Sequence, residues 1–570
     1  MNRFFLAIFL LSSALAQIKI DELIEIPAEK SESLPVQNFN QNQSSGSFSG
    51  VSITTGDATP SYNSVDLTSS IIITQGGSGE VGIYYNLVDS DGNSNWYVAN
   101  LSIFLGNITM ATDNAVTISG LKETTSYSWK AAIAYKSTGV ILALGATKQF
   151  STIPYVPGQL KVPSQYSTIQ AGLNAARTSD TVLVAAGTYN ENIMWPDVNG
   201  IKLISAGDSS NTIIDGGGTS TVLYMNPSSA TIDTTTLIQG FTITNGGNID
   251  FGAGMYIKGV GDRITSPKII YSQIVKNVAK KQGGGIYLKY STPRIISSKI
   301  SENSANGEGG GIRTSDGSVE LIDVIISNNI SKGGSNARGG AIYQQGADNT
   351  ILTNVKVLNN MAGWGGGIHF ENVMATLTNV IIIGNSASSG GGMSLNGHSK
   401  LSGSKVIIAN NISERGAGMF FVQSYGDIKN ITVVNNNGIG VVLDRSRNEF
   451  DQITISNNKS LDSFYGMLQE SSEDVFTIKN SNIINYGYAI KNPSMGYETV
   501  AKNNYWGDSS GPYHPSQNTA GKGDSVSGFV NIDPWLTAPN TDAPPIPAQN
   551  LKLDSQTVTS ATFSWDASKI

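Results

Sequence analysis

Two short hydrophobic and polar patterns recur in step along the middle of the chain. The first is a glycine cluster closed by an aliphatic residue: Gly252-Ala-Gly-Met255, Gly283-Gly-Gly-Ile286, Gly309-Gly-Gly-Ile312, Gly339-Gly-Ala-Ile342, Gly365-Gly-Gly-Ile368, Gly390-Gly-Gly-Met393, Gly416-Ala-Gly-Met419 and Gly438-Ile-Gly-Val441, spaced by 31, 26, 30, 26, 25, 26 and 22 residues. The second is aliphatic-x-x-Asn: Ile274/Asn277, Ile300/Asn303, Ile326/Asn329, Val357/Asn360, Ile382/Asn385, Ile408/Asn411, Val433/Asn436 and Ile455/Asn458. The repeats show neither a 3.6-residue period nor leucines at the spacing of a leucine-rich repeat, so period-two strands remain. Each repeat has room for three short strands and three turns. That is one coil of a parallel β-helix, with equivalent residues of neighbouring coils about 4.8 Å apart.

Stacking turns each motif position into a column. The aliphatic residue after the glycines (Met255, Ile286, Ile312, Ile342, Ile368, Met393, Met419, Val441) predicts an interior ladder, and Ile257, Leu288, Thr314, Gln344, Phe370, Leu395, Phe421 and Leu443 predict a second one. Thr314 and Gln344 make that second ladder locally polar. The repeating Asn belongs at a turn, where its amide can bond backbone and the Asn above and below. Glycine supplies the positive φ of a sharp corner. A stack has two raw ends: Ile169, Leu173 and Ala176 on one helical face suit the first, and Tyr505, Trp506 and Trp535 suit the last.

Upstream of the repeats, β-branched runs alternate with turn residues (Val65 to Thr74, Val81 to Val88, Trp96 to Phe104, Ala115 to Ile118, Tyr127 to Tyr135, Ile141 to Phe150), which predicts a β-sandwich. The segment 89–95 carries Asp and Asn like a calcium loop, but its sixth position is Ser94 where an EF-hand needs Gly, so a hairpin turn is the reading. Arg3, the apolar run Phe4 to Leu11 and Ala14-Leu15-Ala16 predict a secretory signal over 1–16, too short to span a membrane. Residues 17–48 read as a flexible linker, 49–153 as the sandwich, 158–540 as the β-helix with its capping helix, and 541–570 as the start of a second sandwich.

Composition narrows the chemistry. The 570 residues include 63 Gly, no Cys and 3 His, with 14% charged residues and a net charge of -7. No disulfide, thiolate nucleophile or cysteine-bound metal is available, and no basic field invites nucleic acid. On these grounds we expect neither cofactor nor metal.

Leu121-Lys-Glu-Thr-Thr-Ser-Tyr127 with Phe150-Ser151-Thr152 resembles a fibronectin type III domain, although the usual early-strand Trp is missing. Leu551-Lys-Leu553 with Ala561-Thr-Phe-Ser-Trp565 looks like the first two strands of another. Tyr166-Ser-Thr-Ile-Gln170, Asp180-Thr-Val182, Gly187-Thr-Tyr189 and Glu191 resemble the opening of pectate-lyase-like, right-handed β-helix proteins. The Gly339-Gly-Ala-Ile342 and Ile-x-x-Asn pair is similar to the repeat of polymorphic outer-membrane proteins. The resemblance covers about residues 160–538 and implies an all-β fold, a right-handed parallel β-helix solenoid preceded by a fibronectin type III-like β-sandwich. It also implies a second function class: a polysaccharide lyase or glycoside hydrolase, in which acidic residues would hold Ca²⁺.

The residues for that chemistry are not apparent. On the strand after the glycines, the alternate positions carry only two acids, Glu371 and Asp444, three coils apart. The column six residues before each ladder Asn contains one, Asp323. The dense charge cluster Asp444 to Asp451 reads as an exposed loop. We therefore expect no catalytic residues. The same alternate positions do form a stripe of Tyr256, Lys258, Tyr287, Lys289, Arg313, Tyr343, His369 and Phe420, in which rings can stack on sugars and cations can pair with acid groups. The expectation is a secreted or cell-surface adhesion protein that binds polysaccharide or surface glycans through this stripe, with a structural stalk as a third reading.

Overall fold

The structure, a computed structural model, describes residues 50–564 except 75–77, 106–109, 261–263, 460–464, 472–474, 485–486, 494–495, 546–551 and 557–559. The expected signal (1–16) and linker (17–48) lie outside the described residues. The chain divides into two units, Met1–Val156 and Pro157–Ile570. None of the helices among the described residues is long and apolar enough to cross a membrane.

In the first unit, Val51–Pro60, Ser64–Ile73 and Met110–Ser119 form one antiparallel sheet. Gly79–Asp89, Ser94–Leu105, Ser126–Tyr135, Ile141–Leu144 and Lys148–Ser151 form the other. Alternation along Ser64–Ile73 sends Val65, Leu67, Ile71 and Ile73 into a core shared with Tyr85 and Trp129. The Tyr127 hydroxyl accepts the Lys122 N–H at 2.9 Å, pinning the corner that precedes its strand. Segment 89–95 is a hairpin turn: Asp89 Oδ1 accepts the N–H groups of Asp91 and Asn93 at 3.0 and 2.8 Å.

The second unit is a parallel β-solenoid of about 12 turns. Met255, Ile286, Ile312, Ile342, Ile368, Met393, Met419 and Val441 pair in direct register, and all are fully buried. The second ladder is buried as well, including its polar step. There Gln344 accepts the Thr350 hydroxyl and reaches the Gly317 carbonyl at 3.4 Å, while the Thr314 hydroxyl has no hydrogen-bond partner among the described residues.

The asparagine corner is the most regular feature. Each ladder Asn from 277 to 436 donates through Nδ2 to Oδ1 of the next, at 2.8 to 3.0 Å. The same Oδ1 accepts a backbone N–H: Asn303 Oδ1, for example, takes that of Asn277 at 3.0 Å, and Asn303 Nδ2 also reaches the Ile274 carbonyl at 2.8 Å. The residue before each ladder Asn sits at positive φ, from Lys276 (57°) and Glu302 (57°) to Asn457 (52°).

The glycine corner works through three different constraints in a single repeat. Gly309 has φ of 65°; a Cβ on Gly310 would stand 2.6 Å from the Ile330 carbonyl carbon, and one on Gly311 would stand 2.6 Å from the Ala341 oxygen in the next coil.

The coils differ from the expected three strands. Ile249–Phe251, Val278–Gln282, Ser304–Ala305 and Ile330–Ser331 add a fourth, short strand between the Asn corner and the glycines, forming a parallel sheet of their own. In Ile368–Ile383 successive strands instead fuse across their corners into one of 16 residues.

The ends are covered as the pattern predicts. The helix Ile169–Ala175 buries Ile169 and Leu173 over the strands Gln159–Val162 and Thr181–Val184. The Glu191 carboxylate accepts the first N–H groups of this helix, from Ile169 and Gln170, at 2.8 and 2.9 Å. At the other end Trp506 and Ile532 are fully buried and Trp535 packs against the same core. Beyond it, Lys552–Gln556 and Ala561–Ser564 form an antiparallel hairpin, and Leu553 and Ala561 pack on an outward apolar row of Ile325, Leu358, Ile383, Ala409 and Val434.

The ladder generates a direct expectation. Asn303→Ala leaves buried backbone and amide groups on both neighbouring coils without partners, so urea unfolding should show a loss of about 1–3 kcal/mol. An unchanged unfolding midpoint would remove the energetic role of the ladder.

Candidate functional site

The stripe predicted after the glycines exists in register, Tyr256–Tyr287–Arg313–Tyr343–His369–Ser394–Phe420, but most of it is closed to solvent. Tyr287 and Arg313 are 7% and 4% exposed, and Tyr343, His369 and Phe420 are fully buried. Expecting these five as an exposed binding surface was wrong. The glycine corner folds the residue five positions earlier back over the strand. Phe251 thus lies near Tyr256, Glu308 on Arg313, Arg338 on Tyr343, Trp364 on His369 and Arg415 on Phe420. Gln282, Glu308, Arg338, Trp364, Ser389 and Arg415 bridge to one another as a column of their own. The result is a second, outer seam of packed side chains, and Lys258 and Lys289 remain half-buried at its edge.

The centre of the seam is a charge network. Glu308 Oε2 lies 3.1 Å from Arg313 Nε, and Arg338 Nη1 lies 3.0 Å from Glu371 and 3.9 Å from Glu308. The Tyr343 hydroxyl donates to Glu371 at 2.7 Å, and the Arg313 guanidinium sits over the Tyr343 ring at 4.2 Å. Burial, then the hydrogen bond to Glu371, push the Tyr343 hydroxyl well above its ordinary range. Sequence reasoning noted Glu371 but missed Glu308 and Arg338, which lie across the corner from the stripe.

His369 is wholly buried beside this network, and neither ring nitrogen has a hydrogen-bond partner among the described residues. Burial, then the charges of Arg338 and Arg313, lower its pKa from 6.5 to about 3. The folded state therefore holds the ring neutral while the unfolded chain takes up a proton, so stability from this group is present above pH 6.5 and is lost as pH falls towards 3.

Among the described residues, the two roomiest of the clefts that open to solvent lie on different strand columns. The first, of about 390 Å³, lies at the upstream end of the stripe, where Tyr224, Phe251 and Tyr256 meet Met194 and the polar Asn192 and Ser220. Tyr224 and Tyr256 pack edge to face at 5.2 Å, and burial, then Tyr287 and Tyr224, raise the Tyr256 hydroxyl to about 12. The second, of about 640 Å³, is lined by His398, Lys400, Tyr425, Asp427, Arg447 and Glu449 among others. It corrects the reading of 444–451 as a loop. Val441–Asp444 and Arg447–Asp451 are strands, and Phe450 is fully buried. It also supplies the adjacent acid pair that the two columns scanned in the sequence lacked, since Asp427 and Glu449 are register partners on neighbouring coils. Each acid has a lysine partner, Lys400 at 3.6 Å for Asp427 and Lys479 for Glu449. No group of three or more acidic or histidine side chains that could hold a metal ion occurs among the described residues.

No protein-family model matches the chain, and no curated protein does. Among solved structures, the sensor domain of the anti-sigma factor RsgI4 of Pseudobacteroides cellulosolvens is similar over 19% of this chain and 100% of its own, at 21% identity and TM-score 0.15. β-Glucuronidase 2 of Bacteroides uniformis is similar over 20% of this chain and 16% of its own, at 12% identity and TM-score 0.14. A further β-glucuronidase of that organism is similar over 18% of this chain and 13% of its own, at 13% identity and TM-score 0.14. Likenesses of this extent are local and say nothing of activity.

Two outcomes test the seam. His369→Phe should remove the extra loss of thermal stability on going from neutral pH to about pH 4, so that wild type and variant differ in the slope of melting temperature with pH. The paired change Tyr287→Ala with Tyr343→Ala should lower stability by several kcal/mol, as large-to-small changes in packed sites do, about 3–5 kcal/mol per aromatic ring. A loss below about 1 kcal/mol in urea unfolding would mean that the seam is not packed.

Proposed function

We propose that this is a secreted or surface-exposed, non-catalytic carbohydrate-binding protein, whose solenoid holds a polysaccharide against the aromatic cleft of Tyr224, Phe251 and Tyr256. The observation that carries the reading is the composition of that cleft. Half-buried rings, held in place by their neighbours, line a concavity whose rim offers amide and hydroxyl groups. Rigid rings beside a few polar groups suit the apolar face and the hydroxyls of a sugar. The non-catalytic part of the proposal is supported by the acids of the solenoid's outer face: Glu308 and Glu371 are engaged by arginines, and Asp427 and Glu449 by lysines.

The test is affinity electrophoresis of the full chain through gels containing a panel of neutral and acidic polysaccharides. Retardation by at least one polymer is expected, and Tyr224→Ala with Tyr256→Ala should weaken it about tenfold while the melting transition stays cooperative. Unchanged retardation in the double variant would move the site elsewhere. The same polymers incubated with the protein should release neither reducing ends nor unsaturated products, with or without Ca²⁺; sustained release would replace the binding reading with an enzymatic one.

A further inference from the structure

Five asparagines of the chain precede a glycine: Asn199, Asn245, Asn306, Asn396 and Asn437. A glycine has no Cβ to shield its backbone nitrogen, so that nitrogen is well placed to attack the side-chain amide carbon of a preceding asparagine. The fold treats the five nitrogens differently. The Gly200 N–H donates to the Thr236 hydroxyl and the Gly246 N–H to Asn277 Oδ1, each at 2.8 Å. The Gly307 N–H donates to the Lys281 carbonyl at 2.8 Å, and the Gly438 N–H to that of Lys459. These four are held by another coil, and turning the nitrogen towards its own asparagine would break that bond.

Gly397 is the exception. Among the described residues its N–H donates only to Oδ1 of Asn396, the residue before it, at 2.7 Å. A carbonyl is about 1.23 Å long, so Cγ of Asn396 lies within about 4 Å of that nitrogen, near the separation of a near-attack pair, about 3–3.5 Å. The dipeptide ends the strand Met393–Asn396 at a corner where Gly397 has φ of 63°. Both residues are half-buried and His398 beside them is exposed, so solvent reaches the dipeptide.

The position of Asn396 gives such a reaction a consequence. Its register partners on the outward row are Glu371 in the coil before and Val422 in the coil after. Glu371 already holds Arg338 and the Tyr343 hydroxyl in the charge network of the seam. A neutral amide beside Glu371 is tolerated, whereas a carboxylate there sets two like charges directly opposite, which is destabilising.

We infer that Asn396 is a self-modification site, at which the backbone turns a neutral amide into a carboxylate that works against Glu371. The Gly397 nitrogen gives its proton to solvent and bonds to Cγ of Asn396, while Nδ2 takes up a proton and leaves as ammonia. The product is a five-membered succinimide. Water then opens either carbonyl of the ring, giving aspartate or its β-linked isomer. The sequence is a substitution followed by a hydrolysis, and no oxidant or reductant takes part.

The experiment incubates the full chain at mildly alkaline pH in water enriched in oxygen-18, folded and, in parallel, in concentrated urea. Peptide mapping by mass spectrometry reads the fraction converted at each of the five asparagines. In the folded chain Asn396 should convert at least about tenfold faster than the other four, with uptake of the heavy oxygen, and in urea the five rates should converge. A folded chain in which Asn396 converts no faster than the others overturns the inference. The link to Glu371 is read from melting temperatures. Asn396→Asp should melt below Asn396→Gln at neutral pH, and the difference should close as pH falls below about 4 and the carboxylates take up protons. Equal melting of the two variants at neutral pH overturns that link.

Discussion

Every residue in the solenoid stands one coil above and one coil below a residue in the same position, so each column must be compatible with itself at the strand spacing of about 4.8 Å. Most of the sequence follows from that requirement. Aliphatic side chains meet it without directional demands, and asparagine meets it because one amide carries both a donor and an acceptor. A charge does not meet it, since like charges directly opposite repel. Several surface columns accordingly change sign between coils, as in Arg294 with Glu320, Lys276 with Glu302 and Lys429 with Asp451, and where like charges do meet, as in Asp427 beside Glu449, each has a lysine partner. Exposed pairs of this kind contribute little each, about 0–1 kcal/mol, and their main effect is to penalise a slipped register.

The middle coils depart from this economy on both faces of one strand. Inside, Thr314 and Gln344 interrupt the apolar ladder; outside, the alternate positions of the same strands carry Arg313 and Tyr343, tied through Glu308, Arg338 and Glu371. Three acids and bases bridging coils along the outside join the layers where interior burial is least apolar. Breaking one partner of such a buried pair leaves its counterpart charged and desolvated, which costs more than the intact pair contributes.

The interior ladder, the asparagine corner and both end caps were legible in the sequence because each is reported many times or carries a local signature. A motif repeated eight times names its column without any knowledge of three-dimensional distance. The outer seam was not legible. Glu308 and Arg313, or Trp364 and His369, are brought together by a glycine corner whose direction no residue pattern specifies, and the alternate positions of a strand were therefore read as facing water. Arg447 to Asp451 was misread because its exposed charges, Arg447 and Glu449, obscured the period-two burial of Ser446, Asn448 and Phe450. The fourth strand, only two residues long in places, is below the length at which periodicity can be seen. Of the open clefts, only Tyr256 had been singled out as a binding residue. Their remaining residues come from separate columns and become a site only when the coils stack.

The polar step in the interior divides the stack into two blocks with different fillings. Above it the core continues through aromatic rings, with Phe421, Phe450 and Phe476 meeting edge to face at 6.0 and 5.4 Å. Below it the same ladder is aliphatic, through Ile257 and Leu288, and the buried rings of Phe241 and Trp195 lie nearer the upstream end. In a one-dimensional array, cohesion is the sum of neighbour-to-neighbour terms, and the smallest term sets where the array parts. At the plane between the coils that begin at Ile312 and Ile342 the interior term is small, and the ties of Arg313 to Gln345 and Tyr343 and of Arg338 to Glu308 across the same two coils make the outer wall, rather than the core, the part that holds the two blocks together there.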